Sequence, residues 1–182
     1  MVPVLTRHMR HESRIVRIGP ADTEQVILLH RRCSVATLWS RYHRAMGDPR
    51  SYLGGLLTRL DSVHLAVRHQ DGRLVAVGHL MPDGDRAEAA LLVEDLWQNQ
   101  GLGTRLLRHL GGHAVGHGWR AVYGLVLPGD ERILAMLRRT SIPVQRVEEE
   151  GVTTVWADTG DIADALPLRR GRSRQPTRAG DW

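Results

Sequence analysis

Two features of this 182-residue chain have the residue types and spacing for chemistry. One is the loop Gln98-Asn99-Gln100-Gly101-Leu102-Gly103-Thr104, and the other is the carboxylate of Glu88 in the apolar run Ala87 to Val93 ahead of it. The loop separates that strand-like run from an amphipathic helical pattern. There, consecutive backbone N–H groups point outward without helical partners and attract phosphate. Gly101 and Gly103 lack the Cβ atoms that would hold a pyrophosphate off the backbone. By themselves the two glycines fit an ordinary Gly-x-Gly turn equally well. The loop lacks the Gly-Lys-Ser/Thr ending of a nucleoside-triphosphate loop. It also lacks the third glycine and following acid of a dinucleotide site.

Other reactive side chains carry simpler readings. Cys33 could accept an acyl group, but no activating constellation surrounds it. Arg31 and Arg32 point in other directions on a helix, so a buried structural thiol is the preferred reading. His109, His113 and His117 recur every four residues on one helix face. Three ligands from one straight helix do not converge on one ion and no His-Glu-x-x-His is present, so they read as a solvated face and no metal is expected. His8 and His11, in the opening arm, are read the same way. Tyr123 reads as core, and Tyr42, Tyr52 and His43 as packing or surface.

The elements that must position these groups follow from periodicity. Ser13 to Ile18 has the β-branched alternation of a first strand, and Pro20-Ala21-Asp22 starts a helix over Thr23 to Arg32. Short helices over Ala36 to Ala45 and Pro49 to Leu60 would form a flap over the later sheet. Val63 to Arg68 and Leu74 to Leu80 form a hairpin about Gln70-Asp71-Gly72, and Pro82-Asp83-Gly84-Asp85 turns into Ala87 to Val93. A helix over Thr104 to His117, a strand over Ala121 to Leu127, a helix over Pro128 to Arg139 and a hairpin of Val144 to Glu148 with Val152 to Trp156 complete the order. This predicts an α/β (α+β) sandwich with a mixed, mostly antiparallel central sheet flanked by helices. Residues 1–12 are expected to be a mobile arm, 13–158 the domain, and 159–182 an arginine-rich tail without order of its own.

Composition sets the remaining bounds. A 42% hydrophobic fraction fills the core of one domain. No apolar run reaches a membrane span, and Met1 to Arg17 is too charged for a signal peptide, so a cytoplasmic protein is expected. The single cysteine agrees with a reducing compartment. All 25 basic residues are arginine, so self-acetylation on a lysine side chain is excluded. The net charge of +5 would suit a phosphate-bearing cofactor, although four arginines between Arg169 and Arg174 supply much of it. That tail could contact nucleic acid in a salt-sensitive way; with no recognition helix or stacking motif beside it, nucleic acid is not the expected partner.

With the strand Ala87 to Val93 before it and Leu106-Leu107 after it, the loop resembles the central motif of the GNAT superfamily of N-acetyltransferases. The family pattern Gln/Arg-x-x-Gly-x-Gly/Ala is met by Gln98, Gly101 and Gly103. The resemblance spans roughly Ser13 to Asp158 and is strongest in this motif. It implies acetyl-CoA as co-substrate. Leu92 and Val93 would pair with the pantetheine arm, and the amides of Gln98, Asn99, Gln100, Gly101, Leu102, Gly103 and Thr104 would hold the pyrophosphate. Asp130 stands where the family presents an Asn near a helix start, and Ser141 and Ile142 where it presents a Gly-Phe. Glu88 matches the glutamate general base of many members, its alternative being an exposed residue on the strand's polar face. The tyrosine that many members carry on the last helix is absent from Ile133 to Leu137. The resemblance implies direct transfer to an amine in a ternary complex; a catalytically reduced acyl-CoA sensor is the alternative. The run with Leu38, Trp39, Tyr42 and His43 resembles actinobacterial domains related to protein lysine acetyltransferases. A small amine, an antibiotic and a protein amine all stay open as acceptors, and the oligomeric state, a homodimer included, is left open.

Overall fold

The computed structural model describes residues 13–164, apart from 129, 141 and 150. The expectations for the arm at 1–12 and for the arginine-rich segment from 165 onward lie outside the described residues. Seven strands form one sheet: β1 (Ser13–Arg17), β2 (Val63–His69), β3 (Leu74–Asp83), β4 (Arg86–Val93), β5 (Ala121–Val126), β6 (Gln145–Glu149) and β7 (Val152–Asp158). Their order is β1-β2-β3-β4-β5-β7-β6. Every neighbouring pair is antiparallel except β4 with β5. Val63 to Val67 and Leu74 to Leu80 are buried throughout, because helices cover both faces of the central strands. Hence they read as continuous apolar runs rather than alternation. The turn expected at Pro82 to Asp85 is tighter than the sequence suggested. β3 runs on through Pro82 and Asp83, which pair with Ala87 and Arg86, and Gly84 turns the chain at a φ of 62°.

A parallel neighbour cannot be reached by a hairpin, so the chain must cross over between β4 and β5. It does so through α4 (Leu102–Gly116). Leu102, Leu106, Leu110 and Ala114 recur on one stripe of this helix and are buried against Val63, Leu80 and Val122 on one sheet face. Each buried leucine contributes about 1.5–3 kcal/mol. On the opposite face, α1 (Thr23–Arg32), α2 (Val35–Tyr42) and α3 (Arg50–Leu57) form a second layer. Val26, Leu29, Leu53 and Leu57 there pack on Ala66, Val77 and Leu92. The last two helices are α5 (Glu131–Arg138) and α6 (Thr159–Ala163).

Helix α6 lies beyond the boundary placed at Asp158, so the folded part continues past it. Its Ile162 is 3% exposed and packs into the core beside α4. The approach is close enough to require a glycine. A Cβ on Gly111 would stand 2.7 Å from the Ala163 nitrogen and 2.9 Å from the Ile162 carbonyl carbon. Backbone atoms cannot swing aside as a side chain can. Gly111→Ala is therefore expected to destabilise the protein by about 1–3 kcal/mol despite alanine's better helix propensity. Urea unfolding would measure this, and a neutral or stabilising result would mean that α6 does not dock there.

Candidate functional site

The parallel pair opens. β4 and β5 pair only at Arg86 with Ala121, Ala87 with Val122 and Glu88 with Tyr123. Beyond that row β4 continues to Val93 and β5 to Val126 with no ladder between them. One edge of β4 from Ala89 to Val93 thus lacks a strand partner, an uncommon condition for backbone in the middle of a sheet. Gly124 sits at the start of the gap, where a Cβ would contact the Ala89 carbonyl oxygen at 3.4 Å. Farther along, Ile133 and Met136 of α5 line the opening. The resulting cleft has a volume of about 370 Å³ and extends from Glu88 along β4 to the start of α4.

At that far end the chain makes a short 3₁₀ turn, Asp95–Trp97, and then the glycine loop. Trp97 is 1% exposed and anchors the turn, with its ring 4.9 Å from that of His69. Gln98 donates its backbone N–H to Asp95. From Asn99 to Thr104, however, no backbone N–H has an acceptor among the described residues. Asn99 and Gly101 occupy the left-handed region, at φ 58° and 82°. Gly101 is the N-cap of α4, so the free amides of Leu102, Gly103 and Thr104 combine with the positive end of a 15-residue helix. Such an arrangement suits a phosphate group, and the open strand edge beside it suits an extended amide-bearing chain.

The acetyltransferase (GNAT) family model matches residues 29–140, which contain both the opened strand pair and the loop. The chain belongs to the GNAT acetyltransferase family. The GNAT domain of S. lividans PAT superposes with a TM-score of 0.72 at 22% identity, covering 80% of this chain and 90% of that one. A GCN5-related N-acetyltransferase from Kribbella flavida does so at 0.67 and 14% identity, covering 82% and 99%. Spermidine N-acetyltransferase from Vibrio cholerae, solved in complex with CoA and spermine, gives 0.62 at 9% identity, covering 84% and 98%. At these identities the likeness establishes the GNAT fold. No curated protein sequence matches the chain.

Within this GNAT cleft the expected residues take different places. Glu88, Leu92, Val93, Gln98, Asn99, Gly101, Leu102, Gly103 and Thr104 all line it. Glu88 is in the last paired row before the gap, on the sheet face that carries Ala90 and Leu92 and looks toward α1 to α3. Gln98 turns its side chain inward, donating from Nε2 to the Val93 carbonyl and to Thr37 Oγ1, both at 3.0 Å. Its role is to brace the loop against the strand end, and it occupies the Val93 carbonyl. Gln100 does not line the cleft; it is 9% exposed and donates to the Leu96 carbonyl. Asp130 is also elsewhere. It caps α5 by accepting from the Arg132 N–H, pairs with the Arg132 side chain at 3.1 Å and accepts from Ser40 Oγ. Tyr123 is half-buried rather than core. Burial first, then a hydrogen bond donated to Asp83, pushes its phenol up to about 12.

Sequence reasoning missed the polar hub beneath the loop. Asp95 accepts from the Ser34 N–H and hydroxyl at 2.8 and 2.6 Å and from Thr37 Oγ1 at 2.9 Å. Burial opposes its ionisation, but these hydrogen bonds outweigh it and hold the carboxyl below its usual range. Beside it, Glu94 is 3% exposed and pairs with Arg32 at 3.0 Å. The two acids thereby fix α1 and α2 to the loop. The only signal in the sequence was Ser34 three residues before Thr37, an N-cap spacing.

The wall opposite β4 is built from α2 and its neighbours: Arg41, Tyr42, His43 and Tyr52 line the cleft. Tyr42 packs edge-on against Tyr52 at 5.5 Å between ring centroids, and its hydroxyl is 2.5 Å from His30 Nε2. Burial drives His30 down to about 4 and Tyr42 up to about 12, so both are neutral at pH 7. His64 and His79, paired through their Nδ1 atoms at 2.9 Å, are also lowered by burial. These shifts set a pH dependence. Above about pH 6.5 the buried His30 is neutral in both folded and unfolded chains. As pH falls from there toward about 4, the unfolded state takes a proton that the native state refuses, and stability drops by about 1.4 kcal/mol per pH unit. Between pH 7.5 and 5.0, His30→Gln is expected to lose about 2 kcal/mol less than wild type in urea unfolding. The two other histidines contribute equally to both proteins. Equal losses would place a charged His30 in the native state.

Cys33 is buried and does not line the cleft. Burial, then Asp95 and Glu94, pushes its thiol up to about 12. Among the described residues no group of His, Cys, Asp and Glu is placed to hold a metal ion, and no helix is long and apolar enough to cross a membrane. His109 and His113 stay on the outer face of α4, lowered by burial and then by neighbouring positive charge.

Proposed function

We propose that this protein moves an acetyl group from acetyl-CoA to a primary amine by direct transfer. One observation carries the reading: Glu88 stands at the row where β4 and β5 part, in the same cleft as the unpartnered amides of Asn99 to Thr104. The fit to acetyl-CoA is good. The unpaired edge of β4 between Ala89 and Val93, on which Gln98 occupies the Val93 carbonyl, can pair with the amides of the pantetheine arm, and the loop amides can hold the pyrophosphate. Acetyl-CoA supplies the activated acetyl thioester. Glu88 takes a proton from the acceptor ammonium, directly or through a water, leaving a nitrogen lone pair free to attack. As the N–C bond forms, the C–S bond breaks, the nitrogen releases its second proton to solvent and the thiolate sulfur takes one up from solvent; Ile133 and Met136, the apolar side chains that α5 sets in the cleft, have none to give. Direct transfer suits the protonated and buried state of Cys33.

The test is incubation of the full chain with acetyl-CoA and a panel of primary amines, following thiol release and product mass. Acetylated amine and free thiol in equal amounts, with kinetics requiring both substrates bound together, are expected. An acetylated protein able to pass its group on would replace this mechanism. Tight acetyl-CoA binding without turnover on any amine would identify an acyl-CoA sensor, the reading that the tyrosine-free α5 favours.

A further inference from the structure

Arg41 is a cation without an anion. Its Nε and Nη2 atoms are buried and have no hydrogen-bond partner, and no carboxylate pairs with it among the described residues. Its guanidinium lies 4.7 Å from the centroid of the Tyr42 ring, and its charge acts on His30 and His79, both held neutral. A half-buried guanidinium among neutral rings favours an anion within its reach. Arg32 pairs with Glu94 and Arg132 with Asp130, while Arg44 and Arg139, which also line the cleft, are exposed to solvent. Arg41 lines the cleft together with Glu88. Its neighbour His79 pairs with Ala90, two residues from Glu88 on the same face of β4 and about 7 Å along the strand. One cleft therefore presents a negative group, Glu88, and a positive group without an anion, Arg41, with Tyr42 and Tyr52 as an apolar side wall.

From this juxtaposition we infer that the acceptor is a small amine that also carries a carboxylate, its ammonium at Glu88 and its carboxylate on Arg41. The inference rests on the acetyltransferase reading above. The guanidinium can meet a carboxylate through Nη1, the one of its nitrogens not enclosed by the fold, in a charge-assisted hydrogen bond. A simple diamine would put a second cation against Arg41 and be disfavoured.

The experiment uses the full chain saturated with CoA. Glycine, β-alanine and 4-aminobutyrate, each paired with its carboxamide, are titrated by calorimetry and then assayed for acetylation with acetyl-CoA. At least one acid is expected to bind about ten- to hundredfold more tightly than its carboxamide. Arg41→Gln should bring that ratio close to one, and Arg41→Lys should keep part of it. Acid and carboxamide binding equally, no binding by any member, or a ratio unchanged in Arg41→Gln would overturn the inference. So would an Arg41→Gln variant whose main loss is CoA affinity, because Arg41 would then serve the phosphates. Binding that depends on Arg41 without acetylation would uphold the carboxylate site and overturn the transfer reading instead. Acetylation of amines with no preference for a carboxylate does the reverse.

Discussion

Glu88→Gln is expected to lower kcat for amine acetylation by about 10²- to 10⁴-fold, the range that a positioned general base contributes. Glutamine keeps the shape of the side chain and its place in the row Met81, Glu88, Tyr123, so the strand pair should open at the same point. It cannot take up a proton. Acetyl-CoA affinity should stay within about twofold, because the strand edge and the loop amides lie farther along β4 and do not involve this carboxylate. The residual rate of the variant should rise as pH approaches the pKa of the acceptor ammonium, since solvent must then supply the free amine. A kcat within a few-fold of wild type would leave Glu88 as a polar-face residue beside Tyr123. Equal losses in binding and turnover would make it a structural element of the cleft.

How far these groups could be read from the sequence depends on how local their causes are. The loop was legible because free amides, a helix start and two glycines all lie within seven residues. The strands and helices of residues 13–158 were legible from periodicity for the same reason. Helix ends shifted by a few residues where a cap decided them, as when α4 began at Leu102 because Gly101 caps it in the left-handed region. The opening between β4 and β5 was not legible from residues alone. It is defined by pairing that ceases between chain segments joined through α4, and only the family resemblance pointed to it. The hub at Asp95 was hidden for a related reason: its donors Ser34 and Thr37 lie some 60 positions earlier. Asp130 went the other way. An aspartate just before a helix has the local signature of an N-cap, which is its role here, and the resemblance drew it toward the cofactor. Helix α6 is too short to announce itself, and its place depends on the absence of a side chain at Gly111.

Gly101→Val separates what the loop does from what it costs. Gly101 stands at φ 82°, where a β-branched residue is strained by about 1–2 kcal/mol. Open space surrounds the position, so no packing clash adds to this strain. The new side chain would project beside the free amides of Leu102 and Gly103 and keep a phosphate from closing on them. Charge-assisted hydrogen bonds of that kind are worth about 1.5–3 kcal/mol each, so losing one predicts an acetyl-CoA affinity about 10- to 100-fold weaker, and losing two a larger drop. Strain at a left-handed turn could by itself loosen the chain, which makes Gly72→Val the fitting control. Gly72 has a φ of 90° and open surroundings in the β2–β3 hairpin. That variant should show a similar fall in urea midpoint and no change in acetyl-CoA affinity by calorimetry. If both variants bound acetyl-CoA like wild type, the phosphates would have to lie elsewhere in the cleft, and the amides from Asn99 to Thr104 would need another partner. If both weakened it equally, loss of stability rather than steric exclusion would be the cause. A loss confined to Gly101→Val assigns the phosphate contact to the start of α4, because the two positions share their backbone strain and differ in what their side chains would meet.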